Sequence, residues 1–142
     1  MLQSENSIIA INGKDPYPLI SAETQRPLLI FDFEGKFLYL NPFAFKLLDC
    51  TTKDIRYRFF TDFVYSSDVS KVLSAIRAML RLGGRPLILR HRLCRGESSF
   101  VQVRVDGRIL HNAGKPYAVQ FILSTLNQIE QSESFSESKF QW

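Results

Sequence analysis

Two short runs, Pro27 to Phe33 (PLLIFDF) and Lys36 to Leu40 (KFLYL), are separated only by the turn pair Glu34-Gly35. Short apolar runs with a glycine turn between them predict a β-hairpin. Alternation along a strand puts Leu28 and Ile30 on one face, and Leu29, Phe31 and Phe33 on the other. Both faces are therefore apolar. A hairpin with one wet face would interleave polar residues, so each side of this sheet needs a cover.

The downstream sequence supplies the remaining layers. Asn41-Pro42 stops the hairpin, with Asn as a helix cap and Pro at the first helical position. A short helix follows to Leu48, with Phe45 and Leu48 facing inward. Thr51-Thr52-Lys53-Asp54 opens another, and residues 57–65 (YRFFTDFVY) predict one more helical turn. Residues 68–82 form the best amphipathic pattern, with Val69, Val72, Leu73, Ile76, Met79 and Leu80 at helical spacing. Ser67 is the expected N-cap, and Gly83-Gly84 ends the helix. Three strands follow at 86–95, 99–110 and 116–126, joined by turns at 96–98 and 113–115. In the second of them Val101, Val103 and Val105 alternate with Gln102, Arg104 and Asp106, so one of its faces meets water. The expected fold class is α+β: a five-stranded antiparallel sheet with several helices packed on one face.

Length and composition limit the alternatives. At 142 residues and 45% hydrophobic the chain suits one domain, with a core of its own. No apolar run approaches the ~18 residues of a membrane span, and the first residues lack a signal-peptide pattern. The expectation is a soluble, cytoplasmic protein. Residues 69–96 hold seven basic and no acidic side chains, so the net charge of +4 comes from one segment. Lys71, Arg77, Arg81 and Arg85 fall on or just past the polar side of the long helix, and Arg90 and Arg92 share a strand face. A solvated face is the plain reading, and an acidic protein partner the functional one. No exposed aromatic array accompanies the cations, so nucleic acid is not an expected partner, nor is a membrane.

The order and spacing of these signals resemble a PAS domain over residues 17–127. The resemblance is carried by Asp32-Phe33-Glu34-Gly35 as the first turn, Asn41-Pro42 after the second strand, and Phe45-x-x-Leu48. Ser67-Asp68 at the long helix, Arg92-Leu93-x-Arg95 at a strand end, and Gly114-Lys115-Pro116 before the last strand complete it. Two positions depart from the family pattern. Ser98 stands where Gly is usual, and Leu123-Ser124-Thr125 replaces a terminal Asp-Ile-Thr whose Asp commonly links the sheet to an output helix. On this reading residues 1–16 are an N-terminal extension and residues 128–142 a flexible tail. The resemblance implies a non-catalytic sensory or protein-interaction module of a signal-transduction protein, joined to an output domain such as a kinase or cyclase. It also implies dimerisation through the outer sheet face.

The chemistry-bearing residues agree with a non-enzyme. No nucleophile-His-acid set and no glycine-rich phosphate loop is present. His91 and His111 lie on different strands without metal-ligand spacing, so no metal is expected. The His-ligated haem sensors of the family carry their ligand on the long helix; residues 68–83 hold no His, Cys or Tyr, only Met79. The light-sensing flavin branch has a reactive cysteine in a G-x-N-C-R-F-L-Q motif, and Tyr57-Arg58-Phe59-Phe60 has none. Cys50 and Cys94 read as structural. Flavin and haem are thus both disfavoured, and no cofactor is expected with any specificity.

Two readings of the interior stand side by side. Twelve Phe can simply fill it. Alternatively Phe45, Leu48, Phe59, Phe63, Val72 and Ile76, with His91, Val119 and Phe121 on the strands, wall a pocket for an apolar, lipid-like molecule. On the outer face, residues 17–24 (YPLISAET) are a candidate cover. Leu19, Ile20, Leu29 and Phe31 are the expected contacts of a homodimer.

Overall fold

The computed structural model describes residues 25–95 and 99–126. Its order is β1 (Leu28–Phe31), β2 (Phe37–Leu40), α1 (Pro42–Leu48), α2 (Thr52–Ile55), α3 (Val69–Arg81), β3 (Leu87–Arg95), β4 (Ser99–Asn112) and β5 (Lys115–Thr125). The five strands form one antiparallel sheet in the order β2-β1-β5-β4-β3. The hairpin therefore joins the later meander through β1 and β5. The α+β class and the five-stranded sheet expected from the sequence are what the chain adopts.

Local chemistry explains the corners. In the β1–β2 turn the Asp32 carboxylate accepts from the main-chain N–H groups of Glu34 and Lys36, both at 2.9 Å. Gly35 takes a φ of 91°, a left-handed conformation that costs glycine nothing. After β2, Asn41 Oδ1 accepts from the N–H of Ala44 (2.9 Å), which caps α1, and from that of Leu28 (3.0 Å). Its amide donates to the Arg26 carbonyl at 2.9 Å. One buried side chain thus fixes a helix start to the first strand. Thr51 and Asp54 form a reciprocal capping box at α2. Asn112 and Lys115 flank a two-residue turn in which Ala113 and Gly114 both have positive φ, the geometry of a tight type I′ hairpin.

The long helix starts one residue later than the sequence implies. Ser66–Asp68 is a 3-10 turn, α3 begins at Val69, and neither Ser67 nor Asp68 caps it through a side chain. The Asp68 carboxylate is turned to Arg92 instead. Val72, Ile76 and Met79 are buried, at about 1.5–3 kcal/mol for each such side chain, while Leu73 and Leu80 stay half-exposed. The helix ends as expected: the N–H of Gly84 reaches the Met79 carbonyl at 2.7 Å with φ 86°. Its positive φ favours glycine, and a Cβ there would lie 2.7 Å from His111 Cε1 and displace that exposed ring. The segment expected as a helical turn at 57–65 is a 3-10 turn, Phe60–Phe63, after a single bridge between Phe59 and Lys36.

The sheet separates two apolar clusters. The inner one gathers Leu29, Phe31, Phe37, Phe60, Phe121 and the α3 residues. The outer one holds Leu28, Ile30, Tyr39 and Ala118, with Leu38, Leu110, Tyr117 and Ile122 packed against it. Leu29 and Phe31 were expected at an outer dimer contact. They lie inside, because the β1–β5 register puts Leu29 opposite Phe121 and Phe31 opposite Val119, whose side chains meet the helices. Their neighbours Leu28 and Ile30 take the outer face, where they are fully buried although no described helix packs there. The other half of that face, on β3 and β4, is wet: Ile88, Phe100 and Gln102 are exposed and Arg104 and Asp106 partly so. Apolar character on both sides thus belongs to β1, β2 and β5 only.

Candidate functional site

Inside the sheet the aromatic residues form one interlocked group. The Phe31 and Phe60 rings stack at 4.3 Å with 7° between planes. Phe121 meets both edge-on, at 5.2 and 5.3 Å. Phe37 meets Phe60 at 6.4 Å and Phe63 at 5.9 Å, also edge-on. Such pairings follow the ring quadrupole, each contributing about 0.5–1.5 kcal/mol beyond the area it buries.

His91 closes the far side of this group. It is 3% exposed, with its ring 6.3 Å from Phe60 and 6.4 Å from Phe121. Nδ1 lies 3.2 Å from the Arg92 carbonyl. A carbonyl can only accept, so Nδ1 carries the proton and donates. That leaves Nε2 as a bare acceptor, and it has no partner. Burial pushes the imidazole pKa down to about 4, against a smaller opposing effect of the Arg92 carbonyl. The ring is therefore neutral at physiological pH.

On the near side of the same rings a cleft of about 190 Å³ opens between the β1–β2 turn and α3. Phe31, Phe60 and Val119 form its floor, Ile76, Leu73 and Leu80 its helical wall, and Asp32, Glu34 and Arg77 part of its rim. This is smaller than the roughly 300–1,000 Å³ of drug-sized ligand sites.

Among the residues singled out from the sequence, Ile76 and Val119 line the cleft. Leu48, Phe63, Val72 and Phe121 belong to the inner cluster without facing it, and Phe45 packs on that cluster from its edge. Phe59 is 42% exposed and lies against Gly35, outside the core. Leu19 and Ile20 lie outside the described residues. Sequence reasoning passed over Phe31, Phe60, Leu73 and Leu80 as cleft residues. In a run of aromatics without a regular period, nothing local distinguishes Phe60 from Phe59. The signal that could have found it is the 3-10 turn, which reverses which of the two points inward.

The basic segment is not uniformly solvated. The Arg92 guanidinium, on the wet half of the sheet, lies 4.2 Å from the Tyr65 ring centroid and 5.8 Å from that of Phe100, and pairs with Asp68. Arg77 stands at the cleft rim. Cys50 and Cys94 are free, and burial pushes the Cys50 thiol up to about 11, the opposite of a reactive thiolate. Among the described residues no three His, Cys, Asp or Glu side chains come together as a metal site, and no helix is long and apolar enough to cross a membrane.

Solved structures share this arrangement. A sensory box histidine kinase/response regulator from Burkholderia thailandensis superposes with a TM-score of 0.62 at 18% identity, over 87% of this chain and 93% of that one. A light-oxygen-voltage domain studied with a flavin analogue gives 0.66 at 14% identity, over 89% and 98%. The Rhodobacter sphaeroides light-oxygen-voltage protein gives 0.65 at 17% identity, over 80% and 66%. No protein-family model and no curated protein sequence matches the chain. The chain has the PAS fold.

Proposed function

We propose that this chain is a non-catalytic PAS sensory and protein-interaction module of a signal-transduction protein. The observation that carries this is the fold, shared with domains of sensor histidine kinases. The module spans residues 17–127, with residues 1–16 and 128–142 as an extension and a tail. It dimerises through the apolar half of the outer face, where Leu38, Leu110, Tyr117 and Ile122 surround Leu28 and Ile30. Residues 17–24, the candidate cover expected from the sequence, lie outside the described residues. A ligand or partner that shifts the sheet then biases the dimer between two arrangements and so reaches an output domain.

Light scattering tests the dimer. The full chain should run at twice its 16.4 kDa mass, and Leu110→Glu, at the half-buried margin of the patch, should return it to monomer. A wild-type chain that stays at 16.4 kDa at high concentration overturns dimerisation. The sensory role is tested by placing the chain in the position of a histidine kinase's own PAS domain. Autophosphorylation should change with Leu110→Glu; a rate indifferent to it counts against the reading.

A second reading, a small-molecule sensor, is favoured by the cleft and by the unpartnered Nε2 of His91 behind it. Its ligand is apolar and small. The light-oxygen-voltage neighbours make flavin the cofactor to test, and absorbance between 350 and 450 nm of the purified chain detects it or haem.

A further inference from the structure

We propose that the core takes a small flat aromatic molecule bearing one hydrogen-bond donor, a phenol-class ring, which stacks on Phe31 where the Phe60 ring now lies and donates to Nε2 of His91. This rests on the reading of the domain as a small-molecule sensor and names the chemistry of the ligand.

Three observations converge on that class. The first is size. The cleft measures about 190 Å³ and ends on the Phe31, Phe60 and Val119 side chains. About 150 Å³ of apolar cavity accommodates a benzene ring. One ring fits a space of that size.

The second is the arrangement of rings. Phe60 is the layer between the cleft and His91: it lines the first and meets the second edge-on at 6.3 Å. Its place is defined by a flat stack on Phe31 with two edge contacts, from Phe37 and Phe121. That is a ring-shaped site with an aromatic floor and aromatic walls. Phe60 is tethered there through its main chain, whose N–H donates to the Gly35 carbonyl at 2.8 Å. On this proposal the Phe60 side chain turns towards the cleft while that bond is kept.

The third is polarity. The proton on Nδ1 is committed to the Arg92 carbonyl, so the only free valence of the buried imidazole is a lone pair. A buried acceptor without a donor is costly, and a ligand that supplies O–H or N–H recovers that cost. A ligand with only acceptors recovers nothing. The site therefore selects for a donor at the ring edge.

The experiment titrates the full chain with phenol and with fluorobenzene, which has nearly the same size and no O–H. One net hydrogen bond predicts that phenol binds about five- to tenfold more tightly. In His91→Leu, phenol should fall to the fluorobenzene level while fluorobenzene is unchanged. His91→Gln, which keeps an acceptor, should restore part of the difference. The ¹⁵N resonance of His91 Nε2 in the wild-type chain gives the same answer without a variant: it should move with phenol and not with fluorobenzene. Equal affinities or an unmoved resonance overturn the donor assignment and leave an apolar-ligand sensor standing. Failure of both compounds to bind overturns the assignment, and the sensor reading then rests on the absorbance test alone.

Discussion

Asp68 Oδ2 lies 2.8 Å from the main-chain nitrogen of Arg92 and 3.0 Å from its Nε, while Oδ1 lies 2.8 Å from Nη2. One carboxylate thus holds both the backbone and the side chain of a residue on β3, the edge strand. The adjoining Tyr65 N–H donates to the Arg92 carbonyl at 2.9 Å, so the segment before α3 occupies ladder positions that an exposed edge would offer to another chain. The start of α3 is fixed to the sheet by the same contacts.

Asp68→Asn should cost about 2–3 kcal/mol, because an amide cannot accept from all three donors and leaves a cation without its partner. The Arg92 side chain is one-third exposed, which keeps the figure below that of a fully buried pair. The hydrogen bond from the Arg92 side chain holds the Asp68 carboxyl below its ordinary range. A depressed carboxylate stabilises above its unfolded pKa of about 3.9 and loses that contribution as pH falls through the folded value. Urea melts should therefore show a constant gap between wild type and variant at neutral pH, shrinking below about pH 4.

Asn41→Ala removes the α1 cap, the acceptor for Leu28 N–H and the donor to Arg26 at one stroke. Asn41 is 1% exposed, so the stranded groups find little water. The expected loss is about 2–3 kcal/mol by chemical denaturation, more than a surface cap alone gives. A loss of a few tenths would mean that the three bonds do not act together.

His91 makes stability depend on pH in a higher range, in the same direction. Its folded pKa is about 4 because the ring is buried, against about 6.5 in an unfolded chain. Between those values the unfolded state binds the extra proton, so stability is full above about pH 6.5 and falls towards pH 4. The total is on the order of 3 kcal/mol. His91→Leu should flatten this window and, by removing an unpartnered Nε2, be neutral or stabilising at pH 7. A wild-type stability curve that is level from pH 7 to 4.5 contradicts the burial of a neutral imidazole.

Much of the site lay beyond local pattern. The spacing of Val72, Ile76 and Met79 predicts a helix face, and helix periodicity alone places those residues inward. The alternation of Leu28, Leu29, Ile30 and Phe31 separates two faces but carries no label for inner and outer. Only the pairing of β1 with β5 supplies it, and that pairing spans about ninety residues of sequence. The Asp68–Arg92 contact is similarly non-local, which is why Ser67 and Asp68 looked like ordinary helix-start residues.

The sequence by itself determined the element types, the turns and the two-sided apolar demand of the hairpin. Those depend on backbone preference and on periods of 2 and 3.6 residues, which neighbours in the chain carry. The tertiary structure alone decided which face of the hairpin meets the helices, which phenylalanine fills the centre, and that His91 keeps a lone pair without a donor. Each depends on side chains brought together across the sheet, where close packing rather than local preference selects among equally apolar residues.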